Sequence, residues 1–278
     1  MRIILLCLAV AIAPIFAQQN PPGDTLLFME GLNLSYNNRY ADARAKLAEY
    51  ERLHPDDVLA SLRILYNRFF ETGHGERLSS DGYREFLAEL DAAIRKYETK
   101  DCHAIDFSAS GRSLDCAYVG AALYSLRMTL RGLREGWLRV GDDRKKFLTY
   151  AAWSRAPQIF HLLGVYEYEP SRLSRWKRMA LAVAGVPTDR DHAIRTFMRS
   201  LEGNESPFVD DIWLTVLKIE RETDGKNPCD ADRRDESPAV QELLLRYPPR
   251  RVLGYLQSKY PGNHEVQVFV RACGNSIK

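Results

Sequence analysis

The chain has no glycine-rich phosphate cradle. Neither G-x-x-x-x-G-K nor a G-x-G-x-x-G run after a strand occurs, and H-E-x-x-H and G-x-S-x-G are also missing. The usual nucleotide, zinc-protease and serine-hydrolase sites are therefore excluded. Histidine is sparse: none of the six lies three or four residues from another, so no helical face offers a chelating pair. No C-x-x-C pair is present either. With 17 Gly and 13 Pro among 278 residues a collagen-like chain is ruled out, and 45% hydrophobic against 27% charged residues rules out wholesale disorder. Charge of one sign is lacking too. The 39 basic and 37 acidic residues leave +2, which gives no overall pull toward nucleic acid. No stretch shows the strict alternation of a half-buried strand. Beyond residues 3–16, no apolar run approaches the ~20 residues of a membrane span.

What is there begins with Arg2, an apolar run over 3–16, and then Ala17, Gln18, Gln19 and Asn20. This is the order of a secretory signal peptide. Residues 1–17 are expected to be removed after Ala17, 18–24 to form a flexible N-terminal segment, and 25–278 to form one folded unit, exported to the periplasm or the medium. Removal of the leader takes Cys7 away and leaves Cys102, Cys116, Cys229 and Cys273. An even count in an oxidising compartment favours disulfides, and three pairings are open. The sequence-local one, Cys102 with Cys116 and Cys229 with Cys273, is favoured. Closing the first loop of ~15 residues would stabilise the fold by about 3 kcal/mol. A metal site at Cys102 and His103 has no second ligand pair to complete it.

From about Thr25 onward the hydrophobic spacing is helical. Helices are expected at 26–36, 40–53, 58–72, 81–97, 114–133, 144–153, 157–168, 171–184, 189–201, 207–222, 239–246, 251–259 and 264–272. Breaks this short make neighbours antiparallel. Two longer polar loops, 100–113 and 223–237, each carry a cysteine.

Within 27–55, Gly31, Ala43, Leu47 and Pro55 stand at the spacing of a helix-turn-helix repeat of about 34 residues. Small residues at Gly31 and Ala43 let two helices approach, Leu47 fills the groove between them, and Pro55 stops the second helix. Asn37 and Asn38 suit the turn because they tolerate left-handed backbone angles. This segment resembles the tetratricopeptide-repeat family, with Leu27 in place of the usual Trp and Tyr50 in place of a usual Ala. The larger Tyr50 is expected to splay the next helix slightly. Echoes follow: Ala193 and Phe197 share the offset of Ala43 and Leu47, and 243–248 and 256–261 both read Leu, three residues, Tyr, Pro. Gly164, Tyr166 and Tyr168 are similar to a Gly-x-Tyr-x-Tyr segment of secreted bacterial repeat proteins. The resemblance implies an all-α, right-handed solenoid of antiparallel helical hairpins. Its concave groove would hold a protein or peptide partner, without catalysis, cofactor, metal or nucleic acid.

Ser174 and Lys177 form S-x-x-K, but Lys177 sits among Arg172, Arg175 and Arg178 as part of a basic face. Glu205 with Ser206 resembles the catalytic Glu-Ser of lytic transglycosylases, which makes an all-α cell-wall enzyme the alternative to a binding scaffold. The plain reading of the same residues is a helix start with Ser206 as cap and Pro207 in the first turn. A structural envelope component is the third possibility. Charge is unevenly spread. Over 127–178, 12 Lys and Arg oppose five acids, a local +7, whereas 201–236 carries −6. Arg131, Arg134, Arg175 and Arg178 are accordingly the candidates for choosing an acidic partner. The segment 172–185 reads as a core helix with a basic first half, its alternative being a helix resting on an anionic membrane surface.

Overall fold

The computed structural model describes residues 23–99, 116–202, 213–215 and 237–273, except positions 74, 76, 137, 138 and 172. Among the described residues there are twelve α-helices and no strand. They are α1 (Gly23–Tyr36), α2 (Tyr40–Leu53), α3 (Val58–Glu71), α4 (Ser80–Glu98), α5 (Cys116–Glu135) and α6 (Gly141–Trp153), then α7 (Ile159–Ser171), α8 (Arg175–Val183), α9 (Arg190–Arg199), α10 (Pro238–Arg246), α11 (Pro249–Lys259) and α12 (His264–Ala272). Trp213, Leu214 and Thr215 are helical as well, inside the expected 207–222 helix.

Local chemistry sets the starts. Asp57, Ser79, Asp189, Ser237 and Asn263 each accept a backbone N–H from the first turn of the helix they precede, which satisfies one of its orphan donors. Between α1 and α2 the chain reverses within three residues, and Asn38 takes the left-handed conformation at φ 59° that its short amide side chain tolerates.

The first hairpin closes at Gly31. A Cβ placed there would lie 2.8 Å from Leu47 Cγ and 3.5 Å from the Ala43 carbonyl oxygen, so the missing side chain is what brings α1 against α2. Tyr50 fills the space toward α3. Its ring lies 5.2 Å from that of Phe28, and its hydroxyl donates to Asp57 at 2.8 Å. Pro55 sits exposed in the turn beyond α2. The same device recurs later, because a Cβ on Gly164 would meet Phe197 Cβ at 2.7 Å and the Phe197 backbone at 2.9 Å. Gly164 and Phe197 thus make α7 and α9 a hairpin pair, and α8 is carried in the 18-residue connection between them, 172–189.

Alternate helices touch in succession, α1 with α3, α3 with α5, α5 with α7 and α7 with α9, while α10 packs on α9 and α11 on α12. One core runs through α1 to α7 and takes in Val252, Leu253, Leu256, Val266 and Phe269 of the last two helices. A smaller one joins Tyr168, Ala193, Phe197, Val240 and Leu243 across α7, α9 and α10. Residues of α1 and α12 therefore share a core. The Asn263 amide donates to the Tyr36 carbonyl at 2.6 Å, the Gly262 N–H donates to Asn37 Oδ1 at 3.0 Å, and the Tyr36 and Tyr260 rings lie 4.9 Å apart.

One expectation is corrected. The segment 172–185 is expected to be a core helix, yet α8 has no buried residue; Trp176 is 78% and Val183 92% exposed. Trp176, Met179, Ala180 and Val183 occur at helical spacing, but on the side facing away from the protein.

Candidate functional site

A cavity of about 120 Å³ opens where α1 and the start of α12 meet. On α3, Leu59, Leu62, Arg63, Tyr66 and Phe70 each lie three or four residues from another of the set, so one face of that helix forms a wall. Ser35 and Tyr36 of α1, Tyr118 of α5, His161 of α7 and the helical residues Leu214 and Thr215 add further walls, and Asn263 and Glu265 close it from the start of α12.

Arg63 is 4% exposed, with its guanidinium carbon 5.5 Å from the centroid of Tyr36 and 6.0 Å from that of Tyr66. Cation–π attraction is strongest where water is excluded. Ser35 donates to Oδ1 of the fully buried Asn67, which holds α1 to α3 behind the cavity. His161 Nε2 lies 3.0 Å from the Thr215 hydroxyl, and its ring meets Phe197 edge-on at 5.5 Å. Burial keeps the Tyr40 phenol above its ordinary range, an effect to which the Glu265 and Glu71 charges add and which the hydrogen bond with Asn38 opposes. The lining thus offers aromatic faces, a guanidinium, a carboxylate and two carboxamides, groups that recognise a ligand by stacking and hydrogen bonding.

The sequence-predicted residues are distributed as follows. Gly31, Ala43 and Leu47 come together at one helix crossing. Arg131 and Arg134 lie on α5 and hold the protein's own groups. Arg131 is ion-paired at 2.9 Å with Glu135 and at 2.9 Å with Asp143, whose side chain is 1% exposed; these bonds, Glu135 first, hold its pKa above the ordinary arginine value. Arg127 joins the same carboxylate at 2.7 Å and reaches Asp91 at 2.8 Å. Arg134 donates to the Leu78 carbonyl and lies over the Tyr83 ring. Arg175 is exposed on α8, and Arg178, half-buried, donates to the Ser171 carbonyl at 3.2 Å. Cys116 and Cys273 are buried, while Cys102, Cys229, Glu205 and Ser206 lie outside the described residues. Sequence reasoning missed Arg63 and the pair Asn67 and Asn263. The available signal was a cation inside the apolar period of 59–70.

Among the described residues no group of three or more His, Cys, Asp or Glu side chains is placed to hold a metal ion, and no helix is long and apolar enough to cross a membrane. Among the described residues the fold and cavity define an all-helical arrangement of packed hairpins in which α1 and the start of α12 meet around a small polar-aromatic site. Compared with protein-family models, curated proteins and solved structures, the chain matches none.

Proposed function

We propose that the protein is an exported, non-catalytic scaffold, a right-handed tetratricopeptide-like solenoid that binds a short segment of a protein partner. The observation that carries this reading is the cavity walled by successive alternate helices and closed by the start of α12. Aromatic walls at Tyr66 and Phe70 suit an apolar side chain. The succession of alternate helices and the small-residue crossings at Gly31 and Gly164 support the repeat reading. Of the arginines expected to choose an acidic partner, Arg131, Arg134 and Arg178 bond groups of the protein itself, and Arg175 is exposed on α8.

Panning a random-heptapeptide library against the chain, with counterselection on a Tyr66→Ala variant, tests this. Peptides that lose about tenfold or more in affinity on Tyr66→Ala are expected, as for loss of an aromatic anchor. Peptides indifferent to Tyr66→Ala and to Glu265→Gln would refute it. Export and the pairing of Cys102 with Cys116 and of Cys229 with Cys273 belong to the same reading. The burial of Cys116 and Cys273 is in keeping with paired cysteines. Mass spectrometry of unreduced peptides should find those two links, and four alkylatable thiols would remove them.

A further inference from the structure

The connection that carries α8 is unlike the other hairpin turn of its kind. α1 and α2 are joined by three residues, whereas α7 and α9, which meet through an equivalent glycine crossing, are joined by 18 residues holding a helix. The α7–α9 pair has no need of α8 for its own packing. Connecting segments on the surface carry binding residues disproportionately often.

α8 is nonetheless firmly built. Gly185 at φ +71° lets its N–H bond to the Ala182 carbonyl at 2.9 Å and the Val186 N–H to the Leu181 carbonyl at 2.9 Å, the paired bonds of a Schellman stop. Arg144 of α6 donates to the carbonyls of Ala184 at 2.7 Å and Gly185 at 3.1 Å, and Arg178 ties the first turn back to Ser171. Polar ties to the backbone, and no burial of its apolar side, keep the helix in place.

That orientation fixes what each side presents. At about 100° per residue, Trp176, Met179, Ala180 and Val183 form one stripe. Arg178 and Leu181, the half-buried pair, lie opposite it against the protein. Arg175 and Lys177 fall on the two flanks, and α8 contains no acidic residue. An outward apolar stripe bordered on both sides by cations, with a Trp at one end, matches a layered surface that is anionic outside and apolar just beneath. From this geometry we infer that α8 is an interfacial anchor that lays its outer stripe into an anionic lipid surface and holds the protein peripherally on it. An acidic protein face would satisfy the cations but offers no reason for a cation on each border of the stripe.

Co-sedimentation of the full chain with vesicles of phosphatidylglycerol and phosphatidylcholine, against phosphatidylcholine alone, tests the anchor. The native chain and all variants keep residues 3–16, so any contribution of that run is common to every arm. Preference for the anionic vesicles is expected, weakening with added salt. Arg175→Glu with Lys177→Glu should reduce binding by at least about tenfold, and Trp176→Ser with Val183→Ser, all at exposed positions, should reduce it comparably. Binding equal among the native chain and both double variants would overturn the anchor. So would a concentration-dependent dimer that Trp176→Ser with Val183→Ser abolishes while vesicle binding persists. Tyr66→Ala should leave vesicle binding unchanged, which keeps this inference separate from the peptide site.

Discussion

Gly31 and Gly164 do the same work with different tolerance. At Gly31 the neighbour is the side chain of Leu47, which can rotate or shift, whereas at Gly164 the neighbour is the Phe197 backbone, which moves only with α9. Gly31→Ala should therefore cost about 1–2 kcal/mol and Gly164→Ala more, about 3 kcal/mol, in the range of overpacked cores. Urea unfolding monitored by far-ultraviolet circular dichroism measures the order, and the reverse order would mean that α9 is free to slide on α7. Glu135 gives a pH handle. Arg131 and the Tyr83 hydroxyl hold its carboxyl below the ordinary carboxylate range. The ionised form is favoured by folding, so its contribution is complete above the unfolded value near ~4.3 and is lost as pH falls through the lower folded value. Burial and the Glu135 carboxylate in turn push the Tyr83 phenol up to about 12, so that contribution holds below the unfolded phenol's value of ~10 and is lost as pH rises through the folded one. Glu135→Gln should flatten the decline of Tm at both ends; a variant with the native pH profile would dissociate Glu135 from both effects.

At the scale of elements, the helices were legible wherever the period and a cap coincided. The span 40–53 was read to the residue, because Tyr40 follows the Asn turn and Pro55 follows its end. α7 ran past its expected stop to Ser171, with Pro170 tolerated in its final turn. α8 was read as helix but misread in its surroundings, since Trp, Met, Ala and Val at helical spacing look alike whether they face a core or water. The basic residues beside them were the signal, and only neighbouring elements could show which side faces the protein. The α5–α6 pair depended on something a linear pattern does not display. Asp143, in the first turn of α6, is buried between Arg127 and Arg131 of α5, and without it two guanidiniums lose their common acceptor. Asp143→Asn is expected to destabilise by about 3 kcal/mol, as when one member of a buried ion pair is removed. Equilibrium denaturation measures it, and a loss below about 1 kcal/mol would place the pair with exposed salt bridges.

For the whole molecule, the decisive contacts join residues more than 220 positions apart. Periodicity describes neighbours along the chain. It carries no trace of the Asn263 amide reaching the Tyr36 carbonyl or of Tyr260 lying against Tyr36. Asn263 occupies a pivotal position because its two ends serve different scales. Its carbonyl oxygen accepts the Val266 N–H and caps α12, while its amide nitrogen holds the turn of the first hairpin. Asn263→Asp keeps the cap acceptor but removes the donor, whereas Asn263→Ala removes both. If the long-range bond closes the molecule, Asn263→Asp should lower Tm nearly as much as Asn263→Ala, and both should increase the radius of gyration in small-angle scattering as the α11–α12 pair detaches from α1. If the cap alone matters, the Asp variant should keep the native Tm and dimensions, because Asp and Asn are nearly equal as N-caps. Loss of closure should also abolish heptapeptide binding in both variants, since Asn263 and Glu265 would leave the cavity together.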